Sequence, residues 1–240
     1  MFLFLSRKGN FVDPKKPFWV PWPMKPGRRV TPIDYPEEYR RTKTLNLDST
    51  VAVDEWCKFF ERPTAVRTMV LAVKCPQRLF DAACLQSELT SLYIHWGPIK
   101  DLTPIRNLKS LERLYLGSCS ITDLRPIAAL KNLEHLSLQN LDRLSDYSSL
   151  AKLKSLQYLE IDGAPFMPKS VWIDDLKFLR RLPNLRGLSM AAVRFRDAAF
   201  VKSFKGLGLE CLDFWVKNES VRNTIIESLP NLRYGRILDE

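Results

Sequence analysis

Residues 111–116 read Leu111-Glu112-Arg113-Leu114-Tyr115-Leu116, so leucine occupies the first, fourth and sixth positions. The same apolar spacing recurs on either side, at residues 89–94 and at residues 133–138, at equal distances along the chain. Further copies lie at residues 156–161, 185–190 and 209–214, and weaker ones at residues 42–47, 66–71 and 232–237. Copies at such regular intervals predict a repeat architecture, because self-similarity at a period of about 20–50 residues is its signature.

Each copy predicts a short β-strand. Its last two apolar positions are separated by a single residue, and side chains alternate between the two faces of a strand. Both therefore point the same way, and one strand alone cannot bury them. Stacking the copies into a parallel sheet would bury these side chains in one continuous core.

A second motif recurs between the central copies, where residues 99–105 and 121–127 share the pattern Ile-x-Asp-Leu-x-Pro-Ile. Here the sequence resembles the leucine-rich-repeat family, in its short form whose 22-residue repeats read IxDLxPLxxLxxL. The resemblance is clear over about residues 86–161 and looser over residues 42–240. It implies an α/β leucine-rich-repeat solenoid, with a curved parallel sheet on the concave side and helices and irregular turns on the convex side. The family's usual Asn or Cys after the strand is kept only at Cys119, so we expect a less regular solenoid.

The segments between the outer strands predict helices, because they have apolar residues at helical spacing or a helix-capping start. These segments are residues 49–61, 77–86, 169–181 and 218–228. Residues 42–240 would then form a solenoid of up to nine turns.

The N-terminal segment, residues 1–41, does not fit the repeat. It holds seven of the sixteen prolines and the run Phe18-Trp19-Val20-Pro21-Trp22-Pro23. We expect a cap over the first repeat, and the alternative is a partner-binding arm with polyproline character. The segment is also basic: residues 1–43 hold ten Lys or Arg and four Asp or Glu, which is +6 of the total +10.

Other features of the composition argue against several classes of protein and of site. No apolar stretch approaches the ~18–20 residues that span a bilayer, and the apolar start is followed, not preceded, by basic residues, unlike a secretory signal. We therefore expect a cytoplasmic protein. The five cysteines are an odd number without a CxxC pair, which favours buried free thiols over a disulfide framework or a zinc site.

Strand alternation assigns the residues that flank the strand leucines to the concave surface. We expect this row to bind a partner, since Tyr, Trp and Arg dominate binding hot spots, and the alternative is that aromatic residues merely suit β-strands. The candidate binding residues are Tyr93, His95, Trp96, Arg113, Tyr115, His135, Gln139, Tyr158, Glu160, Asp162, Asp213 and Trp215.

These observations favour a non-catalytic protein-binding module, which we expect to be a monomer without cofactor or metal. Cys119 lacks an adjacent histidine base, and an open sheet offers no enclosed pocket. Carboxylates at one end of the row favour a partner with a basic surface, such as a toxin or enzyme neutralised by an inhibitor or immunity-type protein. The alternatives are a nucleic-acid or acidic-surface binder through cations of the N-terminal segment, such as Lys15, Lys16 and Arg28, and a scaffold that joins two partners.

Overall fold

A computed structural model describes residues 41–47, 53–163, 171–196 and 198–239. Ten strands form two parallel sheets over these ranges, and the larger sheet has the order β1-β2-β3-β4-β5-β6-β8-β10. The strands are β1 (Thr44–Leu47), β2 (Thr68–Lys74), β3 (Ser91–Trp96), β4 (Arg113–Gly117), β5 (His135–Gln139), β6 (Tyr158–Asp162), β7 (Val171–Ile173), β8 (Gly187–Met190), β9 (Val193–Phe195) and β10 (Cys211–Phe214). The predicted open solenoid of leucine-rich repeats is confirmed.

The register of the sheet aligns the repeats. Leu114 of β4 pairs with Leu92 of β3 on one side and with Leu136 of β5 on the other. The strand leucines are fully buried and belong to one core that extends through all the repeats. The apolar positions of the sequence therefore identify the core, because each strand buries its leucines against the next copy.

Helices and turns connect the strands on the side that buries the leucines. The α-helices are α1 (Val53–Phe60), α2 (Gln77–Ala83) and α3 (Glu219–Glu227), which confirm three of the four predicted helices over the residues described. The 3-10 helices are Thr103–Asn107, Arg125–Ala129, Ser148–Lys152, Lys177–Arg181, Ala198–Phe204 and Arg236–Leu238. In the short repeats one such turn connects each strand to the next. A 3-10 helix suits a short connection because its i→i+3 hydrogen bonds make a tight turn.

An aspartate begins four of these turns. Asp101, Asp123 and Asp146 each accept a hydrogen bond of 2.8 Å from the backbone N–H two residues further on, and Asp175 accepts one of 3.0 Å. Asp side chains favour turns because they can hydrogen-bond the backbone in this way. The Asp of the sequence motif is therefore a turn-forming residue.

The helix predicted at residues 169–181 is wrong. Residues 164–170 lie outside the described residues, and the rest forms strand β7 followed by the 3-10 helix Lys177–Arg181. Strand β7 pairs with β9 in a second, two-stranded sheet. The apolar residues alternate, with Val171 and Ile173 buried and Trp172 exposed, so the period is two and not 3.6.

The weakest repeat copy, at residues 232–237, forms no strand. It keeps a single parallel bridge between Tyr234 and Cys211 of β10, and residues 236–238 form a 3-10 helix. The cysteines are free thiols as expected, and Cys75, Cys84, Cys119 and Cys211 are buried, whereas Cys57 is half-buried. Residues 1–40 lie outside the described residues, and so does the choice between a cap and an arm.

Candidate binding face

Side chains on the concave face align in rows that run across the strands. The middle row follows Tyr93, Tyr115, Ser137 and Glu160, which pair in register from β3 to β6, and it continues through Ser189 to Asp213. The sequence prediction placed Tyr93, Tyr115, Glu160 and Asp213 of this row on the solvent-facing surface, and also Tyr158, which lies in the row of His135. The structure differs, because all five side chains are buried.

Members of the middle row contact one another directly or through Gln139, which lies outside the row. Tyr93 and Tyr115 form a small apolar cluster with Val70. The Tyr115 hydroxyl donates to Gln139 Oε1 at 2.5 Å, and Gln139 Nε2 donates to Glu160 Oε1 at 2.8 Å. Burial, with Glu160 nearby, raises the pKa of the Tyr115 hydroxyl, which therefore stays protonated and can donate. Because Tyr93, Tyr115 and Glu160 are buried, they offer little surface to a partner.

At the far end of the face, Asp213 is paired with a cation, and the pKa of Asp162 is raised toward its neutral form. Arg236 Nε donates to the carboxylate of Asp213. Asp162 accepts a 2.7 Å hydrogen bond from the Ala191 N–H, but burial and the neighbouring Glu160 raise its pKa well above the usual range. These carboxylates therefore favour a basic partner less strongly than the sequence indicates, and the basic partner stays a prediction.

Extending the repeat template would have found Arg236. In the copy at residues 232–237 it occupies the position that corresponds to Asp213 in the copy before it. Sequence reasoning missed it because only two of that copy's three apolar positions are kept.

Two neighbouring strands hold polar groups in the centre of the face. Arg113 of β4 pairs in register with His135 of β5, and the His135 ring lies 6.3 Å from that of Tyr158. Burial, with the positive charge of Arg113, lowers the pKa of His135 to about 4. The imidazole is therefore neutral near pH 7.

The exposed aromatic residues of the predicted set lie where strands end. Trp96 is the last residue of β3 and is 43% exposed, and Trp215 follows β10 and is 68% exposed. Lys74 Nζ lies 6.0 Å from the centroid of the Trp96 ring. Trp215 borders a cavity of about 300 Å³ whose other lining residues are Val216, Lys217, Glu219, Arg222, Arg236 and Asp239. These two tryptophans keep the accessibility that the binding prediction requires.

The candidate reactive groups are poorly placed for catalysis. Burial raises the pKa of the Cys119 thiol to about 12, so the thiolate is scarce at neutral pH. His95 and His135 lie on β3 and β5, with β4 between them. Over the described ranges, no three His, Cys, Asp or Glu residues are grouped so that they could hold a metal ion, and no helix is long and apolar enough to cross a membrane.

The open parallel sheet, its leucine core and its concave face define a repeat solenoid. Residues 109–148 match the family model for leucine-rich repeats in two copies, and the fold of the described residues is that of a leucine-rich-repeat solenoid. Proteins with such repeats generally act in protein–protein interaction. No curated protein sequence matches the chain.

Solved structures show the same fold. An internalin (inlF) from Listeria monocytogenes superposes with a TM-score of 0.56 at 21% identity, over 80% of this chain and 55% of its own length. Internalin C2 from the same organism gives 0.52 at 20%, over 74% and 72%. The mouse RP105/MD-1 complex gives 0.55 at 19%, over 80% and 33%. The chain thus spans about half the length of the first of these structures, and the likeness concerns the fold.

Proposed function

We propose that this chain is a non-catalytic protein-binding module that uses its concave face, and that it acts as an inhibitor or immunity-type protein which neutralises a cognate toxin or enzyme. The observation that carries the proposal is the pair Trp96 and Trp215, exposed at the ends of strands β3 and β10 of one sheet. Tryptophan is among the residues that contribute most to protein–protein binding. The solved mouse RP105 structure is itself a complex with MD-1.

The geometry of the sheet supports a role in binding. The strand leucines anchor every strand in the core, and the Tyr115–Gln139–Glu160 chain of hydrogen bonds ties three adjacent strands together. A surface that is already rigid loses little conformational entropy when a partner docks on it. An inhibitor that blocks its target by coverage alone needs such a surface and no catalytic group.

The test is affinity capture of partners from the native lysate after nuclease treatment, followed by titration of the captured protein. We expect Trp96→Ala and Trp215→Ala each to weaken binding by more than about 2 kcal/mol, or roughly thirtyfold. Leu85→Ala is the matched control, because Leu85 is 53% exposed and follows helix α2 outside the concave rows. Unchanged affinity in both tryptophan variants would contradict the assignment of the face.

The inhibitor function is tested by a separate measurement, the activity of the captured partner. The activity of the captured partner should be lost when one equivalent of this chain is added and should return with the Trp96→Ala variant. A partner that stays active in the complex would remove the inhibitor function and leave the binding module. A capture signal that disappears with nuclease would instead favour the nucleic-acid alternative.

A further inference from the structure

The convex turns of five consecutive repeats carry basic residues and no acidic ones. They are residues 103–111, 125–133, 148–156, 177–185 and 199–209, which lead into β4, β5, β6, β8 and β10 and together hold eleven Lys or Arg. Three of these cations, Arg106, Arg125 and Lys177, interact with the aspartates that begin the turns. The other eight form what we call the basic strip: Lys109, Lys131, Lys152, Lys154, Arg180, Arg181, Lys202 and Lys205.

The basic strip is open to solvent, and its charge is not neutralised by the chain. All eight residues are exposed, and none of them forms an ion pair with a residue that the structure describes. A row of like charges raises the local potential and attracts ions of the opposite sign. The strip is therefore suited to bind an anion that extends over several repeats.

Hydrogen bonds between repeats hold the basic strip in line. In three successive repeats, the side chain before the first motif leucine donates to the carbonyl of a strip lysine in the preceding repeat. The pairs are Asn132 with Lys109 at 3.0 Å, Ser155 with Lys131 at 2.7 Å and Asn184 with Lys154 at 2.8 Å. Neighbouring strands lie about 4.8 Å apart, so a strip that crosses five of them is at least about 19 Å long.

The basic strip is also narrow, because carboxylates border it on both sides. Four aspartates begin the turns and three glutamates directly precede the strands: Asp101, Asp123, Asp146, Asp175, Glu112, Glu134 and Glu210. A flat anionic membrane would meet these carboxylates together with the strip and would be repelled by them. A single chain of phosphates can follow the strip alone, which favours a linear polyanion.

The aromatic residues of the five turns distinguish between two kinds of nucleic acid. Proteins that bind single strands stack exposed aromatic rings on unpaired bases. Phe178, Phe200 and Phe204 are the aromatic residues in these turns, and none of them is exposed. Contact through phosphates alone suits a duplex, whose bases are already paired.

We propose that the basic strip is a second binding site, which takes the phosphate backbone of a nucleic-acid duplex without reading its sequence. One strand of a duplex carries a phosphate about every 3.4 Å along the axis, so the strip is long enough for about six phosphates. Lysine ammonium groups are point charges on flexible stems and can adjust to this spacing. Phosphate contacts fix position and carry no sequence information. The strip lies on the opposite side of the sheet from the concave face, so this activity goes beyond the proposed function.

The test is the fluorescence anisotropy of a labelled DNA duplex of about 20 base pairs, titrated with the full chain between about 50 and 300 mM NaCl. Two duplexes of unrelated sequence should bind equally. The strip variant Lys109→Gln/Lys131→Gln/Lys154→Gln should weaken binding at least about tenfold at the lowest salt concentration. It should also reduce the slope of log affinity against log salt by about 2.7, because each lost phosphate contact accounts for about 0.9.

Two further variants remove the same charge elsewhere, and all variants are compared at unchanged circular dichroism. Lys58→Gln/Lys100→Gln/Lys217→Gln removes three exposed lysines outside the strip and should keep most of the affinity. Lys15→Gln/Lys16→Gln/Arg28→Gln tests the N-terminal segment in the same way. A second strip variant, Lys152→Gln/Arg181→Gln/Lys205→Gln, should reproduce the loss seen in the first.

Unchanged duplex binding in both strip variants would overturn the proposal. An equal loss in the variant with lysines removed outside the strip would do the same, because net charge alone would then attract the duplex. Loss only in the N-terminal variant would move the contact to residues 1–41. Vesicles of phosphatidylcholine and phosphatidylserine in equal parts provide the membrane comparison. If the strip variants release the vesicles but still bind the duplex, the strip binds a membrane surface instead.

Discussion

The central repeats and the C-terminal repeats solve the same packing problem differently. From β3 to β6 the strands follow one another at nearly constant intervals along the chain, and mainly leucine and isoleucine fill the space behind them. Beyond β6 the intervals lengthen, and the added chain forms β7 and β9. There the Phe195 and Phe200 rings stack at 4.2 Å, next to Phe214. A longer repeat encloses more volume, and larger side chains are needed to reach the packing density of a protein interior.

In this molecule, leucine fills the repeats of regular length, and larger side chains fill the longer repeats. The two regions should also respond separately to damage, because a solenoid repeat contacts only its neighbours.

The largest expected effect is truncation of the central core. Leu136→Ala removes a fully buried side chain of β5 and should lower the free energy of unfolding by about 3 kcal/mol, within the range for buried leucines. Hydrogen exchange should speed up most in β4, β5 and β6, and less in α3. Leu238→Ala, at an exposed leucine, is the control. Equal acceleration as far as α3 would show that the array unfolds as one unit. The central and C-terminal repeats would then not differ in local stability.

The second effect concerns the space beside two glycines, Gly97 after β3 and Gly208 before β10. A Cβ on Gly97 would overlap the Cys75 carbonyl, whereas a Cβ on Gly208 would meet no atom within 4 Å. Gly97→Ala should therefore destabilise the protein by about 2 kcal/mol through overpacking. Gly208→Ala should be neutral or stabilise it by up to about 1 kcal/mol, since alanine restricts the unfolded chain. Urea denaturation of both variants measures the difference, and similar midpoints would show that the backbone beside Gly97 accommodates a Cβ without loss of stability.

The smallest effect is the acid sensitivity of the turns. Hydrogen bonds from the residue two places further on lower the pKa values of Asp101, Asp123, Asp146 and Asp175. Their folded pKa values lie below the unfolded value of about 3.9, so their contribution to stability is present above about pH 4 and is lost as the pH falls through the folded values.

Replacing Asp101, Asp123 and Asp146 by Asn should therefore flatten the loss of stability between about pH 5 and pH 2. Asp175→Asn, in the C-terminal region, should give about a third of that change, since it removes one such carboxylate instead of three. Urea midpoints at the two pH values provide the measurement. An unaltered pH profile in the triple variant would show that these hydrogen bonds add nothing to stability.

The sequence predicts the sheet well because the leucines that recur along the chain are the residues that fill the core. It fails at residues 169–181, where Val171, Trp172 and Ile173 are too few to separate a period of two from a helical one. It also identifies the concave positions, but not their exposure. The burial of Tyr115 and Glu160 depends on bonds to Gln139 across strands, and the burial of Asp213 depends on Arg236 in the most degenerate copy. Pairings of this kind become visible only when the register is known.

The register of the sheet also has a consequence for how the chain folds. Within the larger sheet each strand pairs with the copy before it, so every pairing closes a loop of about one repeat. The entropy of closing a loop grows with the logarithm of its length, so the longest of these closures costs only about 0.2 kcal/mol more than the shortest. No single pairing is therefore a bottleneck, and the concave face can grow strand by strand from whichever pair of repeats meets first.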